Sequence, residues 1–147
     1  MPSAETGVAF VNQLTESDSI NQLIYNYAYN GGGVAAGDLN NDGLDDLIFT
    51  GNTSPSKVYF NQGEFKFKDV TQASGITPGG WCSGVNMVDL NNDGWLDVYI
   101  SRSGPDKNPA NRANLLYINN KNGTFTEQAA AYGLADPARR AAARATV

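Results

Sequence analysis

Two short stretches of this sequence gather side-chain oxygens at a spacing that suits a cation. Residues 34–48 read VAAGDLNNDGLDDLI and residues 85–99 read VNMVDLNNDGWLDVY. Each carries the pattern D-x-N-x-D-G-x-x-D. In the first, Asp38, Asn40, Asp42 and Asp46 offer side-chain oxygens and Leu44 its backbone carbonyl. In the second the set is Asp89, Asn91, Asp93 and Asp97, with the carbonyl of Trp95. Alternate spacing lets a tightly wound loop turn successive oxygens towards one centre. Gly43 and Gly94 stand where a side chain would obstruct that wrap. Hard oxygen donors in a flexible loop suit Ca²⁺ better than Mg²⁺, which demands a strict octahedron and keeps its waters. Zinc lacks its customary ligands, because the chain has no histidine and a single cysteine, Cys82. The pattern also departs from the EF-hand, whose loop needs a Glu at its twelfth position and a helix after it. Here the twelfth positions are Phe49 and Ile100, inside strand-like runs, and the last carboxylate arrives at the ninth. The competing reading is a pair of Asx-rich turns that hold no metal. Occurrence twice in matching context favours two Ca²⁺ sites.

The charge distribution points the same way. Asp38, Asp42, Asp45, Asp46, Asp89, Asp93 and Asp97 are seven of the 15 acidic residues. Outside these two windows eight acids face ten bases. The acidity therefore belongs to the loops, and two Ca²⁺ would take the formal charge from −5 to −1. A net charge of −5 argues against nucleic acid as a partner. No apolar run approaches the roughly 18 residues of a membrane helix. The opening Met1-Pro2-Ser3-Ala4-Glu5 lacks the basic region and apolar core of a signal peptide, which does not fix the compartment. One cysteine excludes an intrachain disulfide.

The elements that must position the loops are β-strands. The loops align without a gap at an offset of 51 residues, and the likeness runs on downstream. Lys57-Val58-Tyr59-Phe60-Asn61 matches Leu115-Leu116-Tyr117-Ile118-Asn119, Phe65–Asp69 resembles 124–127, and both copies close on Gly75-Ile76 and Gly133-Leu134. Leu47–Thr50 and Val98–Ser101 are β-branched or aromatic and read as strands. Val58–Phe60 and Leu115–Ile118 read as the next strand, with turns at 61–63 and 119–123. Phe65 and Phe67 alternate with lysines, the pattern of a strand with one buried face. A further strand is required before each loop, near 33–37 and 84–88. Four strands in about 50 residues, repeated, describe propeller blades. The expected class is all-β: two four-stranded propeller-type blades, in an incomplete ring or a fragment of one. The expected division is an N-terminal extension with a strand at 1–30, a first calcium-loop repeat at 31–80, a second at 81–135, and an Ala/Arg-rich tail at 136–147. In the extension, Tyr25, Tyr27 and Tyr29 alternate and read as a strand. Gly31-Gly32-Gly33 then permits a bend or a close backbone approach. Residues 104–114 are a polar insertion in the second copy. The tail reads as a short helix, a disordered end or an artificial one.

On YNGGGVAAGDLNNDGLDDLIFTGN, KVYFNQG, WCSGVNMVDLNNDGWLDVYIS and NLLYINNKNGTFTEQAAAYGLAD the chain resembles FG-GAP/VCBS repeats, the blades of integrin-α-type β-propellers. The likeness is greatest to the cartilage-acidic-protein-like group of secreted proteins, and it covers about residues 21–136. The resemblance implies calcium in the Asp/Asn loops, held by the two residue sets above, and blades that mediate extracellular or periplasmic adhesion or ligand binding. Two departures limit it. The Gly-Ala-Pro after the second strand is replaced by Thr50-Gly51-Asn52 and Ser101-Arg102-Ser103, so integrin-like ligand binding is not implied. A propeller also needs about four to eight blades. Three arrangements answer that shortage: a piece of a larger protein, a two-blade unit with exposed edges, or a protomer that joins others in a homo-oligomer. The tail lies where a third blade would begin, which favours the first.

The remaining residues read as structural. Tyr25, Tyr27, Tyr29, Trp81 and Trp95 have the chemistry to stack on sugars, but blade packing accounts for them. Cys82 reads as a buried small hydrophobe, and Arg139, Arg140 and Arg144 as part of a solvated tail. Asn52-Thr53-Ser54 and Asn122-Gly123-Thr124 match the N-glycosylation pattern. Three functions are compatible with these residues. The first is a non-catalytic calcium-stabilised binding module for an unknown protein or glycan. The second is a calcium-dependent lectin. The third is a calcium-using hydrolase or lyase, which lacks the usual nucleophile–base pairs.

Overall fold

The computed structural model describes residues 2–18, 20–21 and 23–135. Among these residues eight strands form two four-stranded antiparallel sheets, each a simple meander. The first sheet contains β1 (Val34–Gly37), β2 (Asp46–Phe49), β3 (Lys57–Asn61) and β4 (Phe67–Asp69). The second contains β5 (Trp81–Val88), β6 (Asp97–Ser103), β7 (Leu115–Asn119) and β8 (Phe125–Glu127). A four-residue helix, α1 (Ser3–Thr6), precedes the first sheet, and another, α2 (Thr71–Ser74), joins the two sheets. The all-β, two-blade architecture read from the repeat is therefore the observed one. No helix among the described residues is long and apolar enough to cross a membrane.

The two sheets stack face to face, and the core lies between them. Side chains alternate across a strand, so every second residue of β2, β3, β6 and β7 reaches this layer. Ile48 and Val58 from the first sheet meet Val85, Val98, Ile100, Tyr117 and Phe125 from the second. Leu39, Val70, Ile76 and Cys82 complete the cluster. Each fully buried aliphatic of this kind contributes about 1.5–3 kcal/mol of transfer free energy. Cys82 is fully buried, and burial pushes its thiol up from the ordinary value. It behaves as the small hydrophobe expected of it. The alternate residues Leu116 and Ile118 turn to the far face of the second sheet, under Ala129 and Leu134.

Two strand expectations are corrected. Tyr25–Tyr29 is a succession of turns, with Ala28 N–H donating to the Tyr25 carbonyl at 2.9 Å and Asn30 N–H to Tyr27 at 3.1 Å. Its period-two pattern meets no partner strand. Instead Tyr25 alone is buried, edge-on to Trp81 at a centroid distance of 5.5 Å, while Tyr27 and Tyr29 are exposed. Trp81 is thus occupied in packing. Phe65, expected in a strand, sits in the preceding turn with φ 56° and lies exposed. The hairpin uses Gly63, Glu64 and Phe65 to reverse direction, so β4 starts only at Phe67.

The glycine run does supply a close approach. A Cβ on Gly33 would sit 2.7 Å from the backbone nitrogen of Val85, so β1 can lie against β5 only without one. The insertion at 104–114 contains a 3-10 turn, Pro109–Arg112, pinned by the Arg102 guanidinium, which donates to the carbonyls of Gly79 (3.0 Å), Ala110 (2.9 Å) and Ala113. The tail at 136–147, with Arg139, Arg140 and Arg144, lies outside the described residues.

Candidate metal centre

Each Asp/Asn loop connects the first two strands of its sheet, so both loops emerge at the same end of the stack. Within a loop, an acidic side chain folds back onto the chain that follows it. The Asp38 carboxylate accepts from Asp42 N–H (3.1 Å) and Gly43 N–H (2.8 Å). The Asn40 side-chain oxygen accepts from Asp42 N–H (3.1 Å), and Asp42 accepts from Leu44 N–H (2.9 Å). The second loop repeats this pattern. Asp89 accepts from Asp93 N–H (2.9 Å) and Gly94 N–H (2.9 Å), Asn91 from Asp93 N–H (3.1 Å), and Asp93 from Trp95 N–H (3.0 Å). Successive Asx turns of this kind wind the backbone tightly. The winding requires left-handed residues at Asn41 (φ 55°) and Gly43 (φ 86°), matched by Asn92 (φ 58°) and Gly94 (φ 84°). Asn tolerates that conformation better than most residues.

Asp46 and Asp97 lie beneath the loops at the first residue of β2 and β6, and both are fully buried. Asp46 accepts from Leu39 N–H (3.0 Å) and Asn61 N–H (2.8 Å). Asp97 accepts from Leu90 N–H (3.1 Å) and Asn119 N–H (2.9 Å). Among the described residues no lysine or arginine forms an ion pair with either. Burial raises the Asp46 carboxyl to about 6, with a smaller contribution from the nearby Asp42 and Asp38 charges and opposition from its two backbone donors. A buried carboxylate without a counter-charge is costly, and the fold builds two.

The structure brings Asp38, Asn40 and Asp42 into one hydrogen-bonded turn, and Asp89, Asn91 and Asp93 into another. Leu44 and Trp95 follow directly. Among the described residues no three carboxylates, thiols or imidazoles converge closely enough to hold a metal by those groups alone. An ion in either loop would therefore also draw on the Asn40 or Asn91 amide oxygen and on backbone carbonyls. That donor set is entirely hard oxygen, which fits Ca²⁺.

Three participants escaped the sequence reading. Asn61 and Asn119, at the ends of β3 and β7, hold Asp46 and Asp97 through their backbone N–H. Their shared place in both copies was the available signal. Lys121 reaches Asp93 at 3.2 Å and helps hold that carboxyl below its usual range, together with Trp95 N–H and Asn91 and against a desolvation penalty. Its counterpart in the first copy is Gly63, so nothing in the repeat announced it. At the opposite end of the sheets, Ile20, Asn52, Trp81, Pro105 and Lys107 line a cleft of about 510 Å³.

Two four-stranded meanders stacked face to face, each with an Asp/Asn loop after its first strand, define a pair of β-propeller-type blades. In agreement, residues 38–100 match the family model of the FG-GAP-like repeat, from the first loop to β6. The FG-GAP repeat is a structural binding module, generally non-catalytic. No curated protein matches the chain.

Proposed function

We propose that this chain is a calcium-binding, non-catalytic propeller-type module for extracellular adhesion or protein–ligand binding, with Ca²⁺ stabilising both blade loops. The observation that carries this reading is the pair of fully buried carboxylates, Asp46 and Asp97, which have no ion-pair partner among the described residues and each lie beneath a loop of further acidic oxygens. Asp38, Asn40, Asp42, Leu44 and Asp46 would hold one ion; Asp89, Asn91, Asp93, Trp95 and Asp97 would hold the other. The ion supplies counter-charge; the loops supply geometry. The likeness to cartilage-acidic-protein-like secreted proteins rests on loop and strand residues alone. Extracellular modules of this kind bind calcium with Kd of about 10⁻⁴–10⁻³ M, which suits millimolar external calcium. A calcium-dependent glycan-binding module is the alternative, and a glycan array with and without calcium separates the two.

The deciding experiment is isothermal titration with CaCl₂ after chelator treatment, paired with thermal unfolding. Two ions per chain are expected. A ligand at 100 times its Kd stabilises by about 2.7 kcal/mol per site, so the melting temperature should rise by several degrees. No heat and no shift at 10 mM Ca²⁺ would remove the proposal.

A further inference from the structure

The linking turn between the sheets has a shape that occurs three times. Helix α2 ends at Gly75 with φ 77° and leads into Ile76; helix α1 ends at Gly7 with φ 78° and leads into Val8; a turn ends at Gly133 with φ 69° and leads into Leu134. The first two are seated alike. A Cβ on Gly75 would lie 3.2 Å from the Phe125 carbonyl of β8, and one on Gly7 would collide with the Phe67 carbonyl of β4. Each turn thus rests on the outermost strand of the sheet that follows it. Gly133 has the same form and nothing within 4 Å.

The faces at the two ends of the stack are complementary. Where the sheets meet, Leu39 is fully buried and its carbonyl accepts from the Asn119 side-chain amide at 2.8 Å. Leu90 occupies the same place on the second sheet, yet it is 37% exposed beside the exposed Val88, and no donor among the described residues reaches its carbonyl. At the other end, Asn61 is the counterpart of Asn119. Its amide donates to Asp45 (3.0 Å), as Asn119 does to Leu96 (3.1 Å), but lacks the cross-sheet bond. Val34, at the other end of β1, is exposed, whereas its counterpart Val85 is buried. One face of the stack therefore keeps an open acceptor and the other an open donor, and each also exposes a valine, Val88 on the first and Val34 on the second.

The donor end is partly covered by the chain itself. Phe10 stacks on Phe49 at 5.2 Å, Ala9 N–H donates to the Tyr59 hydroxyl at 3.3 Å, and the Asn12 amide donates to Asn52 at 2.8 Å. We propose that residues 3–15 are a built-in cap standing in for the linking turn of a preceding unit, and that the open face carrying Val88, Leu90 and Gly133 docks a second copy of this chain once that copy's cap is lifted. Docking joins Leu90 of one copy to Asn61 of the next and seats Gly133 against the Phe67 carbonyl that Gly7 now occupies. The contact is head-to-tail, so it extends to higher multiples. It is independent of the metal assignment.

The test is light-scattering mass against concentration in millimolar calcium. The wild-type chain should stay at 15.7 kDa. Gly7→Val, which unseats the cap, should give masses that climb with concentration, and adding Leu90→Glu should return it to a single chain. Near-ultraviolet circular dichroism checks that each variant is folded. If Gly7→Val does not fold, Phe10→Ser serves instead, because that ring stacks outside the layer between the sheets. A folded cap-lifted variant that stays single overturns the proposal. So does association that Leu90→Glu leaves intact, or a wild-type chain that already associates.

Discussion

Asn119→Ala and Asn61→Ala make a matched pair whose difference measures the bond between the sheets. The two asparagines end equivalent strands and hold similar local bonds. The Asn61 side chain donates to Asp45 and accepts from Gly63 N–H at 2.9 Å; the Asn119 side chain donates to Leu96 and accepts from Lys121 N–H at 2.8 Å. Only Asn119 also reaches the carbonyl of the fully buried Leu39. Truncating Asn61 removes bonds at a half-exposed site where water takes over, at about 1 kcal/mol. Truncating Asn119 removes the same bonds and leaves a buried carbonyl unsatisfied, which adds about 1–3 kcal/mol. The expected totals are about 1 and about 3 kcal/mol. In melting temperature the larger change is worth about 10 °C. Equilibrium urea unfolding of both variants, fitted with a common slope, reads the difference. Equal destabilisation would refute the claim that this bond joins the sheets.

Other outcomes follow from single residues. Lys121→Met removes the ammonium beside Asp93 and should strengthen calcium binding in the second loop several-fold while leaving the first unchanged; titration with each loop silenced in turn (Asp42→Ala or Asp93→Ala) tells them apart. Burial raises the Tyr117 phenol from 10.0 to about 12. The unfolded chain then loses that proton first, so stability is full below pH 10 and falls as pH rises towards 12. Tyr117→Phe should flatten this alkaline slope in urea midpoints measured between pH 9 and 11.5. Ile100→Ala, in the layer between the sheets, should cost about 2–5 kcal/mol, whereas Val34→Ala on the exposed face should change the urea midpoint little.

Much of the fold was legible because a repeat gives two readings of one structure. Strands β2, β3, β6 and β7 were visible because β-branched and aromatic runs sat at matching places after each loop. The extension had no second copy to check against, and there the period-two tyrosines misled. Alternation describes a strand only if another strand is present to pair with it, and Tyr25 found Trp81 instead. Phe65 misled for a related reason. The hairpin needed three residues of positive φ to turn, and an aromatic residue was taken into the turn against its own preference. At the site, the loop oxygens and Gly43 and Gly94 could be read directly. Lys121 could not, because a hairpin of the second copy alone brings it to Asp93.

The sequence by itself determined the local geometry: loops whose Asx turns close within a few residues, and strands whose alternation sets one face apolar. These depend on neighbours along the chain, and neighbours are what a sequence records. Only the tertiary structure decided that Asp46 and Asp97 are fully buried, that Asn119 bonds to Leu39 80 residues away, and that residues 3–15 lie over the first sheet. Those facts depend on which surfaces meet when the two sheets stack, and stacking is chosen by the fit of whole faces rather than by any short pattern.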